Sequence, residues 1–230
     1  MDITDVVHVF IEYIDKMYRR EYAVTKIKIC GLSRKADILA VNEALPDYIG
    51  FVFAKSRRQV SEETALELKE LLRPEILSVG VFVNEEVDRI RHLCSRGIID
   101  IVQLHGDETA SYIHQLRGII SCPIIKAIRV SGSDAIKDVE TIPCDYLLLD
   151  TYHKQQFGGT GESFDWSLVP KLSQPHFLAG GIGFGNVVEA INQMKPYCVD
   201  VSSAVETEGY KDIGKIKELV QIVRTTSLRK

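Results

Sequence analysis

From residue 26 onward, short apolar and β-branched runs alternate with longer segments whose apolar residues recur at helical spacing. Eight runs read as strands: Lys26–Cys30, Tyr48–Phe53, Leu77–Val83, Ile101–His105, Ile124–Val130, Tyr146–Asp150, His176–Gly181 and Cys198–Ser202. Several are almost unbroken in apolar character, as strands buried on both faces of a parallel sheet are. Helix signals fall between them. Ser61 precedes Glu62-Glu63 and a stripe of Ala65, Leu68 and Leu72, a capped start with acid in the first turn. Asn84 precedes Glu85-Glu86 in the same manner, Asn186 opens 187–195, and 212–224 supplies a last amphipathic helix. Only 134–141 and 165–172 leave room for no more than short helices. Eight strand–helix units with a mean repeat of roughly 25 residues predict an α/β fold, a (β/α)₈ TIM barrel over 26–230. A dinucleotide-binding sheet is disfavoured, since no GxGxxG follows the first strand.

Residues 1–25 stand outside the repeat as an N-terminal helical extension. Val6, Phe10, Ile14 and Met17 are spaced for one helical face, with Val9, Tyr13 and Tyr18 beside it. The plain expectation is an extra helix over the N-terminal mouth of the barrel; an oligomer contact or the remnant of a fused domain is the alternative. Early acids and late arginines reverse the charge order of a secretory leader.

Composition narrows the class. Hydrophobic residues make up 45% of 230, enough for one large core, and the net charge of −4 disfavours nucleic acid or an anionic membrane as partner. No apolar run approaches the ~20 residues that span a bilayer. Five cysteines are odd in number, widely spread and without CxxC or Cys/His ligand spacing, so neither a disulfide framework nor a zinc site is indicated. A cytoplasmic enzyme with reduced thiols is expected.

Candidate chemistry collects at strand ends, where barrel enzymes keep their catalytic groups. Cys30 ends the first strand and is followed by Gly31; a buried cysteine is often only a small hydrophobe, but a cationic neighbour at this rim would make it a base or nucleophile. Asp150 ends the sixth strand, where it either caps a loop or, partly desolvated, serves as a general acid. The segment 154–161, with three glycines in four residues, suits a lid or an ordinary connection. Gly180-Gly181 and Ser202-Ser203 follow strands seven and eight, the usual phosphate-binding loops of this fold. Lys55-Ser-Arg-Arg58 is either a solvated turn or the source of a two-pronged carboxylate grip. His105, Asp107 and Asp200 also lie near the rim.

These segments together resemble the phosphoribosylanthranilate isomerase family from about Lys26 to the C-terminus. The likeness rests on Lys-Ile-Cys-Gly (28–31), Gly-Phe-Val-Phe (50–53) with Ser-Arg-Arg (56–58), Val-Gly-Val-Phe-Val-Asn (79–84) and Val-Gln-Leu-His-Gly-Asp-Glu (102–108). It continues through Leu-Leu-Asp (148–150), Phe-Gly-Gly-Thr-Gly (157–161), Phe-Asp-Trp (164–166), Leu-Ala-Gly-Gly-Ile (178–182) with Asn186-Val187, and Val-Asp-Val-Ser-Ser-Ala-Val-Glu (199–206). The resemblance implies an Amadori rearrangement in tryptophan biosynthesis, with Asp150 as general acid and Cys30, as thiolate, as general base. It implies that Arg58 holds the anthranilate carboxylate and that Gly180, Gly181, Ser202 and Ser203 hold the phosphate. His105 and Asp200 match positions near the substrate without a firm role. No cofactor or metal is called for, the partner is a small phosphorylated molecule, and the chain is expected to be a monomer or homodimer.

Three other readings compete. The isomerase of histidine biosynthesis uses two aspartates on a two-phosphate substrate, which Cys30 argues against. A non-catalytic phosphate-binding barrel would have lost Cys30 or Asp150. A thiol-nucleophile enzyme would need a Cys–His pair that the sequence does not supply.

Overall fold

The computed structural model describes residues 24–130, 139–151, 166, 169 and 172–227. Eight parallel strands close into a barrel in sequence order: β1 (Lys26–Cys30), β2 (Tyr48–Val52), β3 (Leu77–Phe82), β4 (Ile101–Leu104), β5 (Ile124–Val130), β6 (Tyr146–Thr151), β7 (His176–Ala179) and β8 (Cys198–Val201). Closure comes from the β1–β8 pairing, in which Lys28 lies opposite Asp200. The predicted barrel is thus the observed one. The N-terminal extension over 1–25 and the glycine-rich segment 154–161 lie, but for residues 24 and 25, outside the described residues.

Strand alternation builds two cores. Side chains such as Ile27, Ile29, Ile49 and Phe51 point outward to the helices, while Tyr48, Val79, Ile101, Ile125, Leu148, Phe177 and Cys198 fill the lower barrel interior. The helices are α1 (Lys35–Ala44), α2 (Glu62–Leu71), α3 (Val87–Ser95), α4 (Ala110–Arg117), α5 (Val187–Met194) and α6 (Ile213–Ser227). Ser61 caps α2 as predicted, its hydroxyl accepting from the Thr64 amide at 3.2 Å. None of these helices is long and apolar enough to cross a membrane.

Three local readings change. Asn84 does not cap a helix: α3 begins at Val87, and Asn84 takes φ 50°. Its side chain accepts from the Asp107 amide at 2.9 Å, tying the loop after β3 to the loop after β4. Asn186 does precede α5, but its side chain turns back to bridge the Gly183 amide and the Gly181 carbonyl, bracing the loop after β7. Strands β2, β3, β4, β7 and β8 end earlier than predicted, and β6 runs one residue further, to Thr151. Gly180 and Gly181 have φ of 75° and 68°, a left-handed backbone that no strand continues. His105, Gly180, Gly181 and Ser202 therefore stand on loops just beyond their strands.

Candidate active site

The site residues repeat the alternation of the inner core two positions further along. Ile101, Leu148 and Cys198 face inward low in the barrel; Gln103 then His105, Asp150, and Asp200 then Ser202 follow on the same faces at the C-terminal mouth. In β1 the sequence Lys26, Lys28, Cys30 does the same. Cys30 and Asp150 stand on strands three steps apart around an eight-strand ring, so their tips face across the mouth.

Beside Cys30 the structure places a buried ion pair that sequence reasoning missed. Lys28 is fully buried, and its Nζ donates to Asp200 Oδ2 at 2.9 Å. Burial alone would lower the pKa of Lys28, but the charges of Asp200 and Cys30 outweigh it and raise the value, so the amine stays an ammonium. Burial pushes the Cys30 thiol above its ordinary 9.0; Lys28 draws it back down and Asp200 pushes it up again. Gly50 supplies the space. A Cβ there would lie 2.7 Å from Cys30 Sγ and 3.2 Å from Lys28 Nζ. The signal for Lys28 was present in the sequence, since a lysine two residues before Cys30 in a strand must share its face.

Across the mouth, Asp150 Oδ2 lies 3.1 Å from His105 Nε2. The loop carrying His105 is fastened by Glu108, whose carboxylate accepts from the Asn84 and Gly106 amides and from buried Lys126 Nζ at 2.7 Å. Asp107 lends that loop its backbone amide.

Arg58 runs over Gly31, where a Cβ would collide with its Cδ, and Gly31 adopts φ 82°. The guanidinium is engaged by a second residue missed from sequence, Glu206. Arg58 Nε and Nη2 donate to its two carboxylate oxygens at 2.8 and 3.0 Å, while Arg57 and Lys211 also donate to it. Burial works against that carboxylate, but these donors prevail and hold it down at about 2. Lys211 Nζ also donates to the Ser202 carbonyl, and the Ser202 hydroxyl donates to the Cys30 carbonyl at 3.0 Å. The loop after β8, one of the two predicted phosphate loops, is therefore joined to the thiol strand. Ser203 opens a single 3₁₀ turn, Ser203–Val205.

A closed parallel barrel whose C-terminal mouth gathers a thiol, an ammonium–carboxylate pair, a second carboxylate and a guanidinium has the architecture of an α/β-barrel enzyme. Residues 27–222 match the family model described as N-(5′-phosphoribosyl)anthranilate (PRA) isomerase. An N-(5′-phosphoribosyl)anthranilate isomerase from Endomicrobium trichonymphae is 49% identical over 200 residues, covering 87% of this chain and 98% of its own. The phosphoribosyl anthranilate isomerase structure from Thermotoga maritima superposes with a TM-score of 0.80 at 35% identity, covering 88% of this chain and all of that one. Another structure of such an isomerase, bound to reduced 1-(o-carboxyphenylamino)-1-deoxyribulose 5-phosphate, gives 0.74 at 33% identity with coverages of 88% and 100%. The chain belongs to the N-(5′-phosphoribosyl)anthranilate isomerase family and is an isomerase of tryptophan biosynthesis.

Proposed function

We propose that the chain carries out the family's Amadori rearrangement with Asp150 as general acid and Cys30 as general base. Asp150 protonates the furanose ring oxygen of N-(5′-phosphoribosyl)anthranilate. The C1′–O bond then breaks, and the anthranilate nitrogen lone pair forms a protonated Schiff base. Cys30 thiolate removes the C2′ proton, and those electrons form the C1′–C2′ double bond of an enolamine while quenching the iminium charge. Proton return to C1′ and loss of the O2′ proton complete the ketone, 1-(2-carboxyphenylamino)-1-deoxyribulose 5-phosphate.

The observation that carries this reading is the Cys30–Lys28–Asp200 cluster facing Asp150 across one barrel mouth. In the free protein the thiol is held up, so the base is generated within the complex: the iminium formed by the acid step is a cation that acidifies both C2′–H and the thiol beside it, whose own proton leaves to solvent. Arg58 grips the anthranilate carboxylate in the two-pronged manner it now uses on Glu206. Gly180, Gly181, Ser202 and Ser203 bind the phosphate, chiefly through backbone N–H groups. Asp200 Oδ1, which is buried without a hydrogen-bond partner, is an acceptor for the sugar or the anthranilate N–H. His105 acts next to Asp150. A cytoplasmic location and a monomeric or homodimeric state complete the proposal.

Anthranilate fluorescence tests the reaction. Phosphoribosylanthranilate formed in situ should lose its fluorescence on addition of the protein, with the carboxyphenylamino-deoxyribulose phosphate as product. Decay no faster than in buffer removes the reading.

A further inference from the structure

Asp150 does not meet His105 alone. Behind the imidazole, Gln103 Nε2 lies 2.9 Å from His105 Nδ1, and Gln103 is 1% exposed. Gln103 and His105 share one face of β4 and the residue after it, and the His105 amide is pinned to the Phe82 carbonyl at 2.8 Å. The three side chains form a line: amide, imidazole, carboxyl.

The chemistry of this line leaves one good arrangement. With Gln103 Nε2 toward the ring, the amide can only donate, so Nδ1 accepts. A neutral imidazole then carries its proton on Nε2 and donates it to Asp150 Oδ2. Gln103 Oε1 is left buried without a partner, an acceptor with nothing to accept. Turning the amide over would put Oε1 against Nδ1–H. That would strand the NH₂ group in the same unpartnered place and turn a bare Nε2 lone pair toward the carboxylate. It is the costlier choice, since two donors would go unmet and, once Asp150 had given up its proton, two lone pairs would face each other.

Resting on the isomerase reading above, we propose that Gln103 is a positioning residue that, through the tautomer of His105, fixes which oxygen of Asp150 carries the transferable proton. Because Nε2–H donates to Oδ2, that oxygen is an acceptor whether Asp150 is a carboxylic acid or a carboxylate. The acid proton therefore resides on Oδ1. One hydrogen-bond pattern serves Asp150 before and after it gives up the proton, so nothing in the line has to reorganise during ring opening. Gln103 does this without touching the substrate.

The experiment reads the tautomer directly in the full-length protein labelled with ¹⁵N-histidine, using long-range ¹H–¹⁵N correlation, with His105→Gln to assign the signals. The wild type is expected to show a neutral His105 protonated on Nε2. Gln103→Met should mix the two tautomers. Gln103→Glu keeps the shape but offers an acceptor where the amide offered a donor, and should move the proton to Nδ1. In fluorescence kinetics both variants are expected to lose about tenfold in kcat with KM changed by less than about twofold. A wild-type His105 protonated on Nδ1, or charged, overturns the proposal. So does wild-type kcat in Gln103→Glu. The tautomer is measured without substrate, so it decides the wiring even if the chain proves not to isomerise phosphoribosylanthranilate.

Discussion

Replacing Lys28 by methionine removes the cation of a pair that has almost no access to water. The Lys28 side chain is 0% exposed and that of Asp200 8%. Methionine keeps the length and most of the volume, so little cavity is created. What remains is a buried carboxylate with neither of its oxygens paired, because Oδ1 already lacks a partner and Oδ2 loses Lys28. Removing one partner of such a pair costs roughly 3–5 kcal/mol. At about 2–4 °C per kcal/mol for a protein of this size, the melting temperature should fall by about 6–20 °C. Lys28→Met/Asp200→Leu removes both charges and should recover most of the loss, giving a coupling of several kcal/mol in a double-mutant cycle. Urea unfolding of the four proteins measures it. A single variant destabilised by less than about 1 kcal/mol would refute the buried pair, since that is the range of exposed pairs. A double variant as unstable as the single would show that the loss is packing rather than charge.

Three further outcomes follow from the same geometry. Gly50→Ala forces a methyl against Cys30 Sγ and Lys28 Nζ; it should cost about 1–3 kcal/mol in unfolding and slow alkylation of Cys30, and a neutral substitution would show the space to be slack. Alkylation of the Cys30 peptide, followed by mass spectrometry, should accelerate with pH up to 9.0 without a plateau, because the thiol is raised above that value in the free protein; a plateau below pH 8 would contradict it. Glu206 is depressed from 4.5 to about 2, so its contribution to stability is complete above pH 4.5 and lost as pH falls toward 2. The gap in melting temperature between the wild type and Glu206→Gln should close over that window, and a gap independent of pH would refute the assignment.

The barrel was legible because its strands are buried on both sides and so are nearly continuous in apolar residues, as in Tyr-Leu-Leu-Leu at 146–149. Two helices carried weaker marks. In α1 the start is fixed by Asp37, which reaches back to accept from the amides of Ser33 and Arg34, a contact that no Ser or Thr at the cap position announces. In α4, Thr109 does cap the helix, but only eight residues follow it. Asn84 misled because a short polar side chain before two acids serves a left-handed turn as well as a cap. Among site residues, those at strand tips were visible by position. Lys28 and Gln103 share the faces of those tip residues, but a polar residue inside a strand takes its meaning from partners across the sheet: Asp200 is 172 residues away and Asp150 lies 45 beyond His105. Glu206 ends the Val-Asp-Val-Ser-Ser-Ala-Val-Glu segment, but its partner Arg58 lies 148 residues distant.

The division of labour between Cys30 and Asp150 is the central claim, and fluorescence decay of phosphoribosylanthranilate with Cys30→Ala and Asp150→Val tests it most directly. Each variant should retain the wild-type circular dichroism spectrum and lose about 10²–10⁴-fold in kcat, the range expected when one member of an acid–base pair is removed. Either variant turning over at the wild-type rate would contradict the account.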